Sequence, residues 1–139
     1  MLGPYYGSAG SAFDEDAGSV VLPAATEAGF LSAFDPDWRF SGTSSGDQVG
    51  YSVGGAGDVN GDGYDDVIVG APHDGNGTAY VFYGTHAGLT NETPSVTLTC
   101  GDQGSQFGAS VAIVGDVNGD GFDDVLVGAP HHRDDTTYV

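Results

Sequence analysis

The chain has 139 residues, a length typical of one domain that buries roughly two thirds of its unfolded surface. Twenty acidic residues against two basic ones give a net charge of −18, which excludes nucleic-acid binding through the phosphate backbone and argues against docking on anionic membranes. A single cysteine excludes an intrachain disulfide framework, and because no apolar run is long enough for a spanning helix, we expect no direct membrane insertion.

Residues 1–45 carry the weakest strand pattern of the chain. Gly18–Leu22 is a short run that ends in apolar residues, and Trp38 stands where a later strand is expected. We expect Trp38 to have a packing role. Because these features are similar to parts of the next segment, we interpret residues 1–45 as the back half of a degenerate repeat unit with an N-terminal extension.

Residues 46–103 contain four short strand patterns separated by turn signals, and no window has a helical period. The 25 glycines of the chain are typical of a fold with many tight turns. Four antiparallel strands in one repeat unit predict an all-β fold built from β-propeller blades, with a parallel β-helix as the alternative. The predicted strands are Val49–Gly55, Asp66–Gly70, Ala79–Tyr83 and Ser95–Thr99.

Residues 104–139 repeat the beginning of that unit. Residues 46–73 and 104–131 are identical at 20 of 28 positions, without a gap and at an offset of 58. Such self-similarity predicts a repeat architecture. We therefore interpret residues 46–103 as a complete blade and residues 104–139 as the front half of a further blade.

Two loops in the repeat, residues 58–66 and 116–124, place side-chain oxygens at positions 1, 3, 5 and 9. Glycine at position 6 permits a tight turn, and position 7 offers its backbone carbonyl. This all-oxygen set suits a hard cation, and calcium accepts looser geometry than magnesium does. The predicted ligands of two Ca²⁺ sites are Asp58, Asn60, Asp62, Tyr64 and Asp66 in the first loop, and Asp116, Asn118, Asp120, Phe122 and Asp124 in the second.

Two alternatives to these calcium sites remain open. One is an ordinary turn without metal, although two copies in register favour a site, since converging carboxylates would otherwise repel one another. The other is an EF-hand or dockerin loop, which needs a following helix and an acidic residue at position 12. Position 12 is Val69 or Val127, inside an apolar run, which favours a β-hairpin.

The order of three elements resembles the FG-GAP repeat of integrin α-subunit propellers. These elements are Val49 or Phe107 followed by glycine, the D-x-N-x-D-G-x-x-D loop, and Val-Gly-Ala-Pro at 69–72 and 127–130. Val49 departs from the phenylalanine of the family. The resemblance implies that calcium lies in the hairpin between the first two strands of a blade, and that related modules occur in bacterial and archaeal surface proteins.

The resemblance implies a non-catalytic calcium-binding module that is extracellular or at the cell surface and acts in protein or glycan binding, adhesion or self-assembly. The alternatives are a structural subunit of a surface layer or fibre, and an accessory propeller of a secreted enzyme such as a lyase or phospholipase. No nucleophile–base pattern is present, and only Arg39 and Arg133 could hold an anionic substrate. We therefore expect no enzymatic activity.

One blade and two half blades form an incomplete ring, because propellers have about four to eight blades. We hypothesise that the half blades pair between copies of the chain through their open edges; the alternative is a fragment of a longer propeller. The acidity indicates either a high-salt organism or a calcium-rich extracellular setting.

Two further patterns carry weaker expectations. Asn76 and Asn91 begin N-x-[ST] sequons in predicted loops, where glycosylation would be accessible in an exported chain. His73, His131 and His132 could suggest a transition-metal site, but no cysteine or second histidine lies at ligand spacing. We expect these histidines to be loop residues.

Overall fold

The computed structural model of the chain describes residues 17–22, 24–25, 31–32 and 38–133. Residues 1–16, which include the N-terminal extension, and residues 23, 26–30, 33–37 and 134–139 lie outside the described residues. Within the described part of the chain no helix is long and apolar enough to cross a membrane. The strands are β1 Ser19–Leu22, β2 Ala24–Ala25, β3 Leu31–Ser32, β4 Trp38–Ser41, β5 Ser52–Gly57, β6 Asp66–Ala71, β7 Thr78–Phe82, β8 Val96–Thr99, β9 Ser110–Gly115 and β10 Asp124–Gly128.

The central sheet contains four antiparallel strands in the order β5-β6-β7-β8. This confirms the predicted all-β fold and the four-stranded blade. The predicted start of the first strand at Val49 is wrong, because β5 begins at Ser52 and continues to Gly57. The reason is that the Val49 amide donates to the carbonyl of Ala17, and Gly50 then turns the chain with a positive φ.

Two half blades accompany the central sheet. Strands β9 and β10 form an antiparallel hairpin that repeats β5 and β6, and β1 pairs with β4 as β7 pairs with β8. A short β2–β3 pair makes a separate sheet. The described strands do not close a ring, as expected, while the division of the chain at residues 45 and 103 stays a prediction.

The half blades pack on opposite faces of the central sheet, because side chains alternate along its strands. On one face, buried Val69 and Phe82 contact buried Trp38 and Val49. The rings of Trp38 and Phe82 are edge-to-face, with centroids 4.8 Å apart. Burial of each large apolar side chain contributes about 1.5–3 kcal/mol, so this interface confirms the packing role expected of Trp38.

On the opposite face, Ile68, Ala79 and Val81 form a second buried cluster. The β9–β10 hairpin covers it with Val111 and Ile113, among other apolar residues. Strand β6 is therefore buried on both sides, which explains its continuous apolar run.

Short parallel bridges join neighbouring units at equivalent positions. Gly18 is bridged to Val49, and Gly77 is bridged to Phe107. A Cβ on Gly77 would overlap the backbone of Phe107, so only glycine permits this approach. The bridges join each unit to the next.

Candidate metal-binding loops

The two candidate loops occupy the turns between β5 and β6 and between β9 and β10. In each hairpin the first aspartate follows the end of one strand and the last aspartate begins the next strand. The register between the two strands shifts next to the loop. The loops therefore lie within β-hairpins, as the resemblance implied, and a strand rather than a helix follows each of them.

Asp58 organises the first loop by accepting backbone hydrogen bonds. Its Oδ1 accepts from the amides of Gly61 at 2.7 Å and Asp62 at 3.1 Å, and its Oδ2 accepts from Gly63 at 2.7 Å. Gly61 and Gly63 both have positive φ, which aims successive amides at one carboxylate. The loop thus forms a small ring of N–H donors around Asp58.

Asn60 and Asp62 complete the outer part of this loop. Asn60 Oδ1 accepts from the amide of Asp62 at 3.2 Å, and Asp62 Oδ1 accepts from the amide of Tyr64 at 2.9 Å. Asn60 Nδ2 donates to Asp62 Oδ2 at 3.1 Å. Because these contacts are exposed, the two side chains are free to exchange partners with solvent or a cation.

Asp66 closes the loop from a fully buried position. Its Oδ2 accepts from the amide of Val59 at 2.8 Å, and its Oδ1 accepts from the amide of Gly84 at 2.8 Å. A buried carboxylate is tolerated only when such donors replace its water. Asp66 therefore ties the loop to the end of β7.

The second loop repeats this geometry. Asp116 Oδ1 accepts from Gly119 at 2.7 Å and Asp120 at 3.0 Å, and its Oδ2 accepts from Gly121 at 2.8 Å. Further equivalent bonds join Asn118 Oδ1 to the amide of Asp120, Asp120 Oδ1 to the amide of Phe122, and Asp124 Oδ2 to the amide of Val117. Residues 58 positions apart thus share these contacts, whereas the bonds from Asn60 Nδ2 to Asp62 and from Gly84 to Asp66 have no counterpart among the described residues of the second loop.

The backbone donors also control ionisation of the first aspartate in each loop. The amide of Gly63 is the main cause that lowers the pKa of Asp58, and the amide of Gly121 does the same for the pKa of Asp116. Both carboxylates are therefore held in the ionised form that a metal ligand requires.

Asp123 connects the two loops. Its Oδ2 accepts from the amide of Asp58 at 2.8 Å, and its own amide donates to the carbonyl of Asp58 at 3.0 Å. The ring of Phe122 lies over Gly61, where a Cβ would collide with it. The sequence pattern showed an aspartate at this position in both loops, but it could not show this bracing contact.

The donor set of each loop fits a hard cation in chemistry, since carboxylate, amide and carbonyl oxygens are the ligands that calcium prefers. In the described residues, however, no group of three or more His, Cys, Asp or Glu side chains is arranged to hold a metal. The carboxylates instead satisfy backbone amides around the turn. Hydrogen bonds within the chain therefore hold the shape of each loop, and the assignment of calcium ligands stays a prediction.

The remaining predicted positions lie in surface loops. His73, His131 and His132 are exposed, and His132 Nδ1 is 3.1 Å from Asp102 Oδ2. Asn76 and Asn91 are also exposed, and the carbonyl of Asn91 accepts from Trp38 Nε1 at 3.0 Å. Glycosylation at these asparagines stays a prediction.

Comparison with known proteins identifies the same repeat. A family model described as an FG-GAP-like repeat matches residues 58–127. The chain is 42% identical over 93 residues to integrin alpha-PS5 of Drosophila melanogaster, a match to 63% of this chain and 9% of that protein. It is 40% identical over 104 residues to integrin alpha-5 of Xenopus laevis, a match to 67% of this chain and 10% of that protein.

A similar match reaches further along the chain. Integrin alpha-7 of Homo sapiens is 38% identical over 113 residues, or 75% of this chain and 9% of that protein. The chain thus spans only 9–10% of the length of these relatives.

Proposed function

The chain belongs to the FG-GAP-like repeat family, and on that premise we propose that it is a calcium-binding, non-catalytic propeller module that works outside the cell or on its surface by binding a protein partner. The observation that carries the calcium proposal is the repetition of one loop geometry in two hairpins. In both loops the first aspartate accepts from the same three backbone amides, which supports one shared role for the two loops.

Each loop offers one set of oxygens to the ion. In the first loop Asp58, Asn60, Asp62 and Asp66 would supply side-chain oxygens, and Tyr64 would supply its carbonyl. Bound calcium supplies positive charge that offsets these carboxylates. Asp66 accepts a hydrogen bond from the amide of Gly84, and Asp123 accepts one from the amide of Asp58. An ion that rigidifies one loop would therefore also rigidify the end of β7 and the neighbouring loop.

A binding role without catalysis agrees with the sequence, in which no nucleophile–base pattern is present. Similarity to integrin alpha subunits supports a protein partner and an extracellular position for the module. A glycan is the second candidate partner, because Tyr64 and Phe122 expose aromatic rings at equivalent positions of the two loops. Exposed aromatic rings offer flat apolar faces on which a sugar ring can stack.

Thermal unfolding tests the calcium proposal when it is measured with calcium, with magnesium and with a chelator. The ionic strength is high and the same in all three samples. We expect calcium to raise the melting temperature more than magnesium, because binding to the folded state alone stabilises it by mass action. Titration calorimetry should give two sites per chain. Equal melting temperatures in calcium and chelator would overturn the proposal.

A matched pair of variants separates a specific site from general charge reduction. Asp62→Asn keeps an oxygen for the Tyr64 amide but removes one charge from the site. Asp65→Asn removes the same charge from an exposed residue of the same loop that is not a predicted ligand. We expect the first variant to weaken calcium binding at one site about tenfold or more and the second to leave it nearly unchanged. Equal effects of the two variants would contradict the assignment.

A further inference from the structure

Asp123 belongs to the second loop, yet its side chain contacts the first loop. Its Oδ2 accepts from the amide of Asp58 at 2.8 Å, and its own amide donates to the carbonyl of Asp58 at 3.0 Å. One residue of the neighbouring hairpin thus holds both the amide and the carbonyl of Asp58. Because Asp123 is not a predicted calcium ligand, the assignment of ligands gives these two bonds no role.

The two hairpins approach closely on either side of these bonds. A Cβ on Gly57 would lie 2.6 Å from Asp123 Oδ2, and a Cβ on Gly61 would lie 2.6 Å from the ring of Phe122. Both distances are shorter than real Cβ atoms tolerate, so only glycine permits this approach. The second loop therefore contacts the first loop just before and just after the first predicted ligand, Asp58.

The position of Asp123 is set by the hydrogen bonds of its own loop. The preceding residue, Phe122, donates its amide to Asp120 Oδ1 at 3.0 Å, and the following residue, Asp124, accepts from the amide of Val117 at 2.8 Å. Both neighbours of Asp123 are also predicted calcium ligands. Order in the second loop therefore fixes the residue that holds the first loop.

The first loop has an aspartate at the same position, Asp65, which lies 58 residues before Asp123. Asp65 is exposed, whereas Asp123 is half-buried. Within the part of the chain that the structure describes, the carboxylate of Asp65 accepts no hydrogen bond, so Asp123 alone of the two joins one loop to the other. Asp65 is therefore a matched control for Asp123.

We propose that Asp123 is a positioning residue that makes calcium binding by the two loops cooperative, an inference that rests on the proposed function. An ordered second loop fixes Asp58 and so reduces the entropy that the first loop loses when its oxygens converge on an ion. Coupling between two binding sites is reciprocal, so each loop strengthens binding at the other by the same factor. Repulsion between the two cations opposes this effect, but in about 1 M salt the Debye length is only about 3 Å.

An NMR titration of the full chain with buffered calcium in about 1 M potassium chloride tests the coupling. The amide signals of Gly63 and Gly121 follow the first and the second loop separately. Asp120→Ala removes a predicted ligand of the second loop, and we expect it to weaken binding at the first loop about fivefold or more. When Asp123→Ala is already present, adding Asp120→Ala should change binding at the first loop by less than about twofold.

A conservative variant separates the hydrogen bond of Asp123 from its charge. Asp123→Asn keeps an oxygen that can accept from the amide of Asp58, so it should retain the coupling that Asp123→Ala loses. Asp65→Ala removes the equivalent carboxylate from the first loop and should also retain the coupling. Coupling that survives in Asp123→Ala would overturn the proposal, as would its loss in Asp123→Asn or in Asp65→Ala, which would assign the effect to charge.

Amide hydrogen exchange in chelator keeps this inference distinguishable from the calcium proposal. Asp123→Ala should speed exchange of the Asp58 and Gly61 amides about fivefold or more, because the first loop loses its support, whereas Asp65→Ala should not. Unchanged exchange in Asp123→Ala would overturn the inference even if both loops bind calcium. Faster exchange in a chain that binds no calcium would overturn the proposed function and the cooperativity, and would support the positioning role of Asp123 alone.

Discussion

The last aspartates of the two loops, Asp66 and Asp124, differ in burial and in the number of hydrogen bonds that they accept. Asp66 and Asp124 both close their loops, on the amides of Val59 and Val117 respectively. Asp66 is fully buried and also accepts from Gly84, whereas among the described residues Asp124 accepts only from Val117. Loss of the carboxylate should therefore have unequal consequences at the two positions.

We predict that Asp66→Asn lowers the free energy of unfolding by about 1–3 kcal/mol in the presence of chelator. The asparagine would turn an NH₂ group toward one backbone amide, which leaves a buried donor without an acceptor. Denaturant unfolding of both variants measures the loss. Asp124→Asn is the control and should cost less. Equal losses in chelator would show that the Gly84 bond contributes nothing.

At the scale of the strand, glycine decides how closely neighbouring blades approach. Gly70 of β6 lies against the carbonyl of Gly108, and a Cβ there would also overlap Ser52 Oγ. Ser52 Oγ itself donates to the carbonyl of Gly108 at 2.8 Å. Strand β6 thus contacts the next blade through backbone, which only a residue without a side chain permits.

We predict that Gly70→Ala destabilises the protein by about 1–3 kcal/mol, because the added methyl group forces the backbones apart and breaks the Ser52 bond. Gly128→Ala is the equivalent substitution in β10, where, among the described residues, the added atom meets only Ser110, chiefly its rotatable hydroxyl. It should be clearly milder. Thermal and denaturant unfolding provide the comparison, and a Gly128→Ala loss as large as that of Gly70→Ala would contradict this account of the interface.

At the scale of the whole molecule, burial of a small apolar core stabilises the folded chain, whereas repulsion among its many negative charges destabilises it. The two clusters on the central sheet bury apolar side chains on both of its faces. The net charge of −18 opposes the compact state through self-repulsion. Stability therefore depends on the ions around the protein as well as on its contacts.

We predict that monovalent salt raises the melting temperature, even with chelator present. Between about 0.01 M and 1 M salt the Debye length falls from about 30 Å to 3 Å, which screens the repulsion. Differential scanning calorimetry should show a rise of about 4 °C or more, equivalent to about 1 kcal/mol for a chain of this size. Sodium and potassium chloride should act equally at one ionic strength. A salt-independent melting temperature would show that the charge does not limit stability.

The sequence alone determined the repeat, the four-stranded blade and the positions of both loops. Repetition at an offset of 58 and period-two patterning are local properties, which are readable without a fold. The apolar run Asp66–Gly70 lies in β6, and Trp38 is a buried strand residue, as these patterns predicted. Strand bounds were less secure, since Val49 is held by contacts with residues 17 and 18 that lie far from it in the chain.

Only the tertiary structure decided which faces are covered and how the loops are braced. The patterns of Ile68 and Leu126 are equivalent, yet one is buried and the other exposed, because a neighbouring blade covers only the first. Asp123 and Gly84 act on the loops across distances in sequence of 65 and 18 residues, respectively. Such contacts depend on the packing of one blade on the next, which no local pattern encodes.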